Sequence, residues 1–324
     1  MKKKTVFLLI FFVAFLKGAS AQEWINERSQ LIFGLGGTGF LGDLGGGSST
    51  GRQDFRDLNF SATRPAVKLG YRYHFFDELA VKGNLIYGRI FASDEFSDEP
   101  FRNNRNIHFR SPILETSVQG EYYFFSFGQL GARFPGTGGP AGWRTIRFRA
   151  YLFGGIGGFY FNPQGQFNAA NYNGSIPAEE LPSDGWYDLR ELSTEGQGFF
   201  PTREKYSRIQ LTIPMGVGFT YRLTRELNLG LEFGYRKTFT DYIDDVSTTY
   251  VDPAIYSIMF EGDNQKIALA EYFSNPTNNN LPANVTSPGM QRGSPSNDDA
   301  YMFLMITINY KIIGGGPPWA PFIR

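Results

Sequence analysis

From Ile209 to Tyr221 the chain alternates without a break, and few folds tolerate that pattern. Ile209, Leu211, Ile213, Met215, Val217, Phe219 and Tyr221 share one face, opposite Gln210, Thr212, Pro214, Gly216, Gly218, Thr220 and Arg222. A period of two marks an extended strand with one apolar side. The next segment repeats it, with Leu227, Leu229, Leu231, Phe233 and Tyr235 opposite Asn228, Gly230, Glu232, Gly234 and Arg236. Only Thr224-Arg225-Glu226 separates the two, which predicts a hairpin. The same parity sets Val67, Leu69, Tyr71, Tyr73 and Phe75 against Lys68, Gly70, Arg72 and His74. After a turn at Phe76-Asp77-Glu78 it sets Leu79, Val81, Leu85 and Tyr87 against Lys82 and Asn84. Further strands at about 31–43, 107–125, 145–161 and 300–312 bring the expected total to eight.

No apolar run after residue 22 is long enough for a spanning helix, so residence in a membrane would require a closed barrel that pairs every backbone group. The expected connections are roughly 44–63, 76–78, 92–106, 126–144, 162–206, 224–226 and 240–299. Long ones alternate with short ones except at 126–144, as in barrels with long exterior loops and short periplasmic turns. Tyr71, Tyr73, Phe75, Tyr122, Phe124, Tyr221 and Tyr310 fall near the short-turn ends of their strands, and Tyr87, Tyr160 and Tyr235 near the long-loop ends. Two aromatic girdles explain that sorting, whereas a soluble β-sandwich gives no reason for it. The predicted fold is all-β, an eight-stranded antiparallel transmembrane β-barrel with long extracellular loops, in the outer membrane of a Gram-negative bacterium and in contact with its lipid.

Met1 and Lys2-Lys3-Lys4 precede an apolar stretch from Val6 to Leu16 and the A-x-A site Ala19-Ser20-Ala21. The expected organisation is a signal peptide over 1–21 cleaved before Gln22, a barrel over 22–312 and a periplasmic tail over 313–324. The chain has no cysteine, which removes disulfides, thiolate metal sites and a lipidated cysteine together. With 31 basic and 31 acidic residues it offers no electrostatic hold on nucleic acid.

Eight strands enclose room only for side chains. The inward face carries Lys68, Arg72, Lys82, Arg147, Arg149, Arg222, Arg236 and Lys311 against Glu115, Glu121 and Glu232, with Gln119, Gln210, Asn228 and Asn309 between them. Such charges must pair or be hydrated, so the lumen is either a hydrogen-bonded plug or a selective, cation-repelling pore. Between Pro253 and Phe273 the spacing of Ile255, Ile258, Met259, Ile267, Ala268, Ala270 and Phe273 predicts short helices over the barrel mouth.

Chemical motifs are few. Gly34-Leu35-Gly36-Gly37-Thr38-Gly39 matches G-x-G-x-x-G, but strand-like Phe40 and Leu41 follow where a dinucleotide site needs a helix, so these glycines are read as easing strand curvature. His74 is expected to be a packed lumen residue. His108, at the exterior edge on the lipid-facing parity, is where a deacylase would place a base, with Ser111 turned away unless Pro112 forces a bulge. Asp241, Asp244, Asp245 and Asp252 lack the ligand spacing of a known calcium loop and read as a solvated loop with helix-capping aspartates. No catalytic, cofactor or metal site is expected. Phe134 and Trp143 in 126–144, and Trp319 and Phe322 in the proline-rich tail, are candidate periplasmic docking residues, or else segments tucked beneath the barrel.

Several segments also carry a resemblance: Arg64-Pro65-Ala66-Val67, Asn106 to Pro112, Tyr151 to Pro163, Gly185 to Leu189, Thr194 to Gly198, and Gly234 to Ser247. Together they resemble the PorG-like outer-membrane barrels of Bacteroidota, a family that includes a type IX secretion component. The resemblance implies a non-enzymatic anchor in a secretion or gliding assembly, with PorK-like and PorN-like periplasmic ring proteins as partners. The alternative is an orphan barrel with a porin-like or lipid-modifying role.

Overall fold

The computed structural model describes residues 28–44, 62–97, 99–126, 148–224 and 226–312. Arg147, Phe134, Trp143, Trp319 and Phe322, the segment 1–21 and the tail 313–324 lie outside them.

Eight strands form a closed ring: β1 (Ser29–Leu41), β2 (Arg64–His74), β3 (Leu79–Ser93), β4 (His108–Ser126), β5 (Phe148–Phe161), β8 (Ile209–Arg222), β9 (Leu227–Thr238) and β10 (Ala300–Lys311). Each pairs antiparallel with the next, and β1 closes on β10 in register from Gln30↔Lys311 to Leu41↔Ala300. Closure leaves no edge unpaired. The tight hairpins form where expected, Phe75 N donating to Leu79 O at 3.0 Å and Leu223 N to Leu227 O at 3.0 Å. Two strands were not expected: β6 (Gln164–Phe167) and β7 (Gly185–Asp188) make a short hairpin beyond the barrel, joined to β4 through Arg110↔Gln164.

The outward positions are the apolar ones. Leu35, Ile156 and Ile209 are 68%, 74% and 70% exposed, and Leu69, Leu85, Leu114, Leu229 and Ile306 extend the same belt around the ring. The girdle residues Tyr71, Phe75, Tyr122, Phe124, Tyr221 and Tyr310 are exposed at the short-turn end, Tyr87 and Tyr160 at the long-loop end. A surface that is apolar outside with its charges buried inside is that of a barrel spanning a membrane. No helix among the described residues is long and apolar enough to cross one.

Inside, the barrel is layered. Charged and amide side chains fill the half nearest the short turns, whereas Ile86, Ile90, Phe109, Ile113, Phe159, Phe161, Tyr301 and Phe303 make the other half an apolar core. That core continues into the long loops. There α1 (Pro100–Arg105), α2 (Ala254–Met259) and α3 (Asn264–Ser274) are found, the last two within the stretch expected to be helical. α1 starts with the Glu99 carboxylate accepting from Arg102 N at 2.7 Å and Pro100 in its first turn, and it ends at Asn106 in the left-handed region, φ 58°. Asp263 caps α3, accepting from Lys266 N at 3.0 Å. Ile267, Ala270 and Phe273 of α3 and Tyr256 of α2 enter the core. Gly165 lets β6 approach α3 closely, since a side chain there would strike the Phe273 ring.

Candidate functional site: the lumen network and its cap

Parity alone turns Lys68 and Arg72 of β2, Lys82 of β3, Glu121 of β4 and Glu232 of β9 toward one point. Arg72 Nη2 donates to Glu121 Oε1 at 3.0 Å, and its Nε lies 2.6 Å from Glu121 Oε2 as an ion contact without hydrogen-bond alignment. Lys82 Nζ bridges Glu121 Oε1 at 2.8 Å and Glu232 Oε1 at 3.0 Å. Lys68 pairs with Glu232 Oε2. Arg236 and Glu115 form a second pair, Nε to Oε2 at 3.1 Å, nearer the apolar layer. All seven side chains are buried, so they close the lumen at this level. An isolated buried charge would be costly, and mutual pairing offsets that cost.

The inward tyrosines complete the network, although sequence reasoning counted only charges and amides. Tyr151 donates to Glu232 Oε1 at 2.6 Å, Tyr123 to Glu121 Oε2 at 2.9 Å, and Tyr301 to Glu115 Oε2 at 3.0 Å. The alternation that placed Tyr160 outward places Tyr151 inward, so the signal was available. Gly218 is the space Tyr151 occupies, because a Cβ at that position would overlap its ring.

Other expected lumen residues stand apart. Arg149 stacks on Tyr123, 4.1 Å from its centroid, and donates to Asp77 O at the short-turn rim. Arg222 donates to Thr224 O at 3.1 Å in the exposed β8–β9 turn. His74 is packed as expected, its Nε2 3.1 Å from Gln30 Nε2 and its ring 5.2 Å from Tyr123.

The Pro112 bulge that would bring Ser111 beside His108 does not form, since β3 and β4 stay in register through Arg89↔Pro112. Ser111 is buried and accepts from Asn162 N at 2.9 Å, while His108 packs edge-on against Trp186. The glycine run Gly34–Gly39 lies wholly within β1, where a side chain at Gly36 would collide with the backbone of β10.

Above the core the long loops are tied together by buried ion pairs. Glu195 accepts from Ser247 N and Thr248 N at 3.0 Å each, from Thr248 Oγ1 at 2.6 Å and from Arg292 Nη1 at 2.8 Å, linking the loop after β5 to the loop after β9. Arg105 holds Asp94 through two bonds of 2.7 and 2.8 Å and donates to the backbone carbonyls of Arg292 and Asp43.

The acidic group is not the solvated loop expected. Asp252, two residues before α2, accepts from Ala254 N at 2.9 Å, but Asp241, Asp244 and Asp245 are buried. Asp245 accepts from Thr194 Oγ1 at 2.6 Å and Tyr206 OH at 2.7 Å, and burial lifts its pKa to about 6 against the pull of Arg292. Burial, then the charges of Asp244 and Asp43, push Asp241 up to about 9. Asp299 and Asp244 are raised well above the ordinary range by burial and carboxylate neighbours. The expectation fails because an aspartate run buried inside a folded loop looks identical in sequence to a hydrated one. Among the described residues no three His, Cys, Asp or Glu side chains are grouped to hold a metal ion.

Comparison with known proteins adds the following. A family model described as a domain of unknown function, DUF6089, matches residues 199–265, which span β8, β9 and the start of the cap helices. No curated protein matches the sequence. Among solved structures the chain is similar to the Yersinia pestis attachment invasion locus protein Ail in complex with sucrose octasulfate, at 9% identity over 87% of this chain and 97% of that one, TM-score 0.35. It is similar to Neisserial surface protein A at 8% identity over 87% and 96%, TM-score 0.35. It is also similar to a major outer membrane protein of Thermus thermophilus, at 10% identity over 87% and 98%, TM-score 0.34.

Proposed function

We propose that this protein is an outer-membrane barrel that serves as a membrane anchor for a protein-secretion or gliding assembly, rather than as a channel or an enzyme. The observation that carries the reading is the filled interior: among the described residues a buried ionic layer, an apolar layer and a helical cap lie in series along the barrel axis. A barrel so closed offers its surfaces, not its bore. The short-turn end, where β1 begins and β10 ends, is the periplasmic side in this reading, and the capped end faces outward. The resemblance of Asn106 to Pro112, Tyr151 to Pro163 and Gly234 to Ser247 to PorG-like barrels supports type IX secretion as the assembly, with PorK-like and PorN-like ring proteins as partners. Affinity isolation from native membranes, with secretion measured in a deletion strain, tests it. Co-purification of a periplasmic lipoprotein with loss of secretion is expected. A barrel recovered alone from a strain that secretes normally would overturn the anchor role.

A further inference from the structure

On one side of the barrel, where the apolar belt meets the long loops, three arginines stand together on adjacent strands. Arg89 and Arg110 occupy outward positions of β3 and β4, and the register sets Arg89 against Pro112 and Phe91 against Arg110, which makes the two guanidiniums diagonal neighbours. Arg64, at the start of β2, lies over the Phe91 ring with its Cζ 4.3 Å from the centroid. Arg110 lies over Trp186 of β7 at 4.0 Å, and its Nε donates to Gln164 Oε1 at 3.0 Å.

Arg64 and Arg110 are each stacked on an aromatic face, and an amide holds Arg110 as well. Among the described residues neither Arg89 nor Arg110 has an ion-pair partner, and the Nη atoms of Arg110 are not engaged. Asp188, opposite Gln164 in the neighbouring hairpin, is already taken by Asn162 at 2.9 Å, Gln164 at 2.8 Å and Arg208 at 3.6 Å. The depth is equally specific. Tyr87, an outward girdle residue paired with Leu114, lies two residues below Arg89, about 7 Å along the strand. At the girdle level β5 and β8 present Tyr160 and Ile209, and β9 carries the single outward cation Lys237, whereas Arg89 and Arg110 stand as a pair on adjacent strands.

We infer that Arg89, Arg110 and Arg64 form a binding site for the phosphate groups of a lipid in the outer leaflet. Guanidiniums bind phosphate oxygens through paired N–H donors, and stacking on Phe91 and Trp186 fixes the forks of Arg64 and Arg110 before the lipid arrives. The acyl chains of such a lipid would lie along Leu114, Leu85 and Val67 directly below. The inference rests on the outer-membrane orientation proposed above, which protease access to the 275–299 segment on intact cells tests independently of lipid binding.

The probe is purified bis-phosphorylated lipid A, with its dephosphorylated form as comparison, and retention on the detergent-solubilised full-length barrel is read by native mass spectrometry. Wild type is expected to retain the phosphorylated lipid. Arg89→Gln with Arg110→Gln should weaken retention about tenfold or more, as loss of charge-assisted hydrogen bonds predicts. Arg89→Gln alone should fall between, and all variants should keep the heat-modifiable gel shift of a folded barrel. Lys237→Gln, which removes an exposed cation elsewhere on the ring, should leave retention unchanged. Equal retention by the double variant, equal retention of dephosphorylated lipid, equal loss in Lys237→Gln, or displacement of the lipid by millimolar inorganic phosphate would each overturn the lipid site.

Discussion

Glu232 accepts from more partners than any other lumen carboxylate: Lys68, Lys82 and Arg72 converge on it, and Tyr151 donates to it. Removing one partner of a buried ion pair leaves the rest uncompensated at a cost of about 3–5 kcal/mol, whereas an exposed pair is worth under about 1 kcal/mol. Glu232→Gln is therefore expected to lower the unfolding free energy in lipid or detergent by about 3 kcal/mol. Glu191→Gln, which touches only the exposed Arg190–Arg208 contacts, should change it little. Denaturant titration read by the heat-modifiable shift checks both, and equal midpoints would show the network to be energetically idle. The charged members of this network were legible from parity because a charge facing inward stands out in a row of strand residues. Tyr123, Tyr151 and Tyr301 share that inward parity, but a tyrosine suits lipid interface and lumen equally, so it does not stand out in the row as a charge does, and its role is defined only by its hydroxyl partner.

Among the elements, the eight ring strands were legible because each keeps its period over 11 residues or more, as in β2. The four-residue strands β6 and β7 carry too few alternations to be read, and they exist because α3 and Phe273 support them. Of the cap helices α2 and α3 were legible from apolar spacing and α1 was not, and the loop aspartates were misread as solvated. Their burial has a consequence for pH. Asp241 holds its proton in the folded cap up to about pH 9, while the unfolded segment releases it near the ordinary 3.8. The folded state thus binds more protons across that window, and stability falls as pH rises from about 4 to 9. Asp245, raised to about 6, acts in the same direction over a narrower range. Hydrogen exchange of 239–299, corrected for intrinsic rates, should show protection decreasing from about pH 5 to about pH 9, and Asp241→Asn should flatten that decrease. Protection that instead increases with pH would contradict the burial of these carboxylates.

For the whole molecule, closure joins the two scales. Strand parity decides which residues point in, and an eight-strand ring is narrow enough that those residues meet and fill it. The apolar half of the lumen was not anticipated from the sequence, since Ile86, Ile90, Phe109 and Phe303 are inward residues whose reason for being apolar is the helical cap above them. The same cap carries the proposal that the barrel is an anchor rather than a conduit. Single-channel recording in planar bilayers tests that claim most directly. Full-length protein, inserted and shown to be heat-modifiable, is expected to give no resolvable ion-conducting steps at neutral pH, and a stable, reproducible open conductance from the folded barrel would contradict the account.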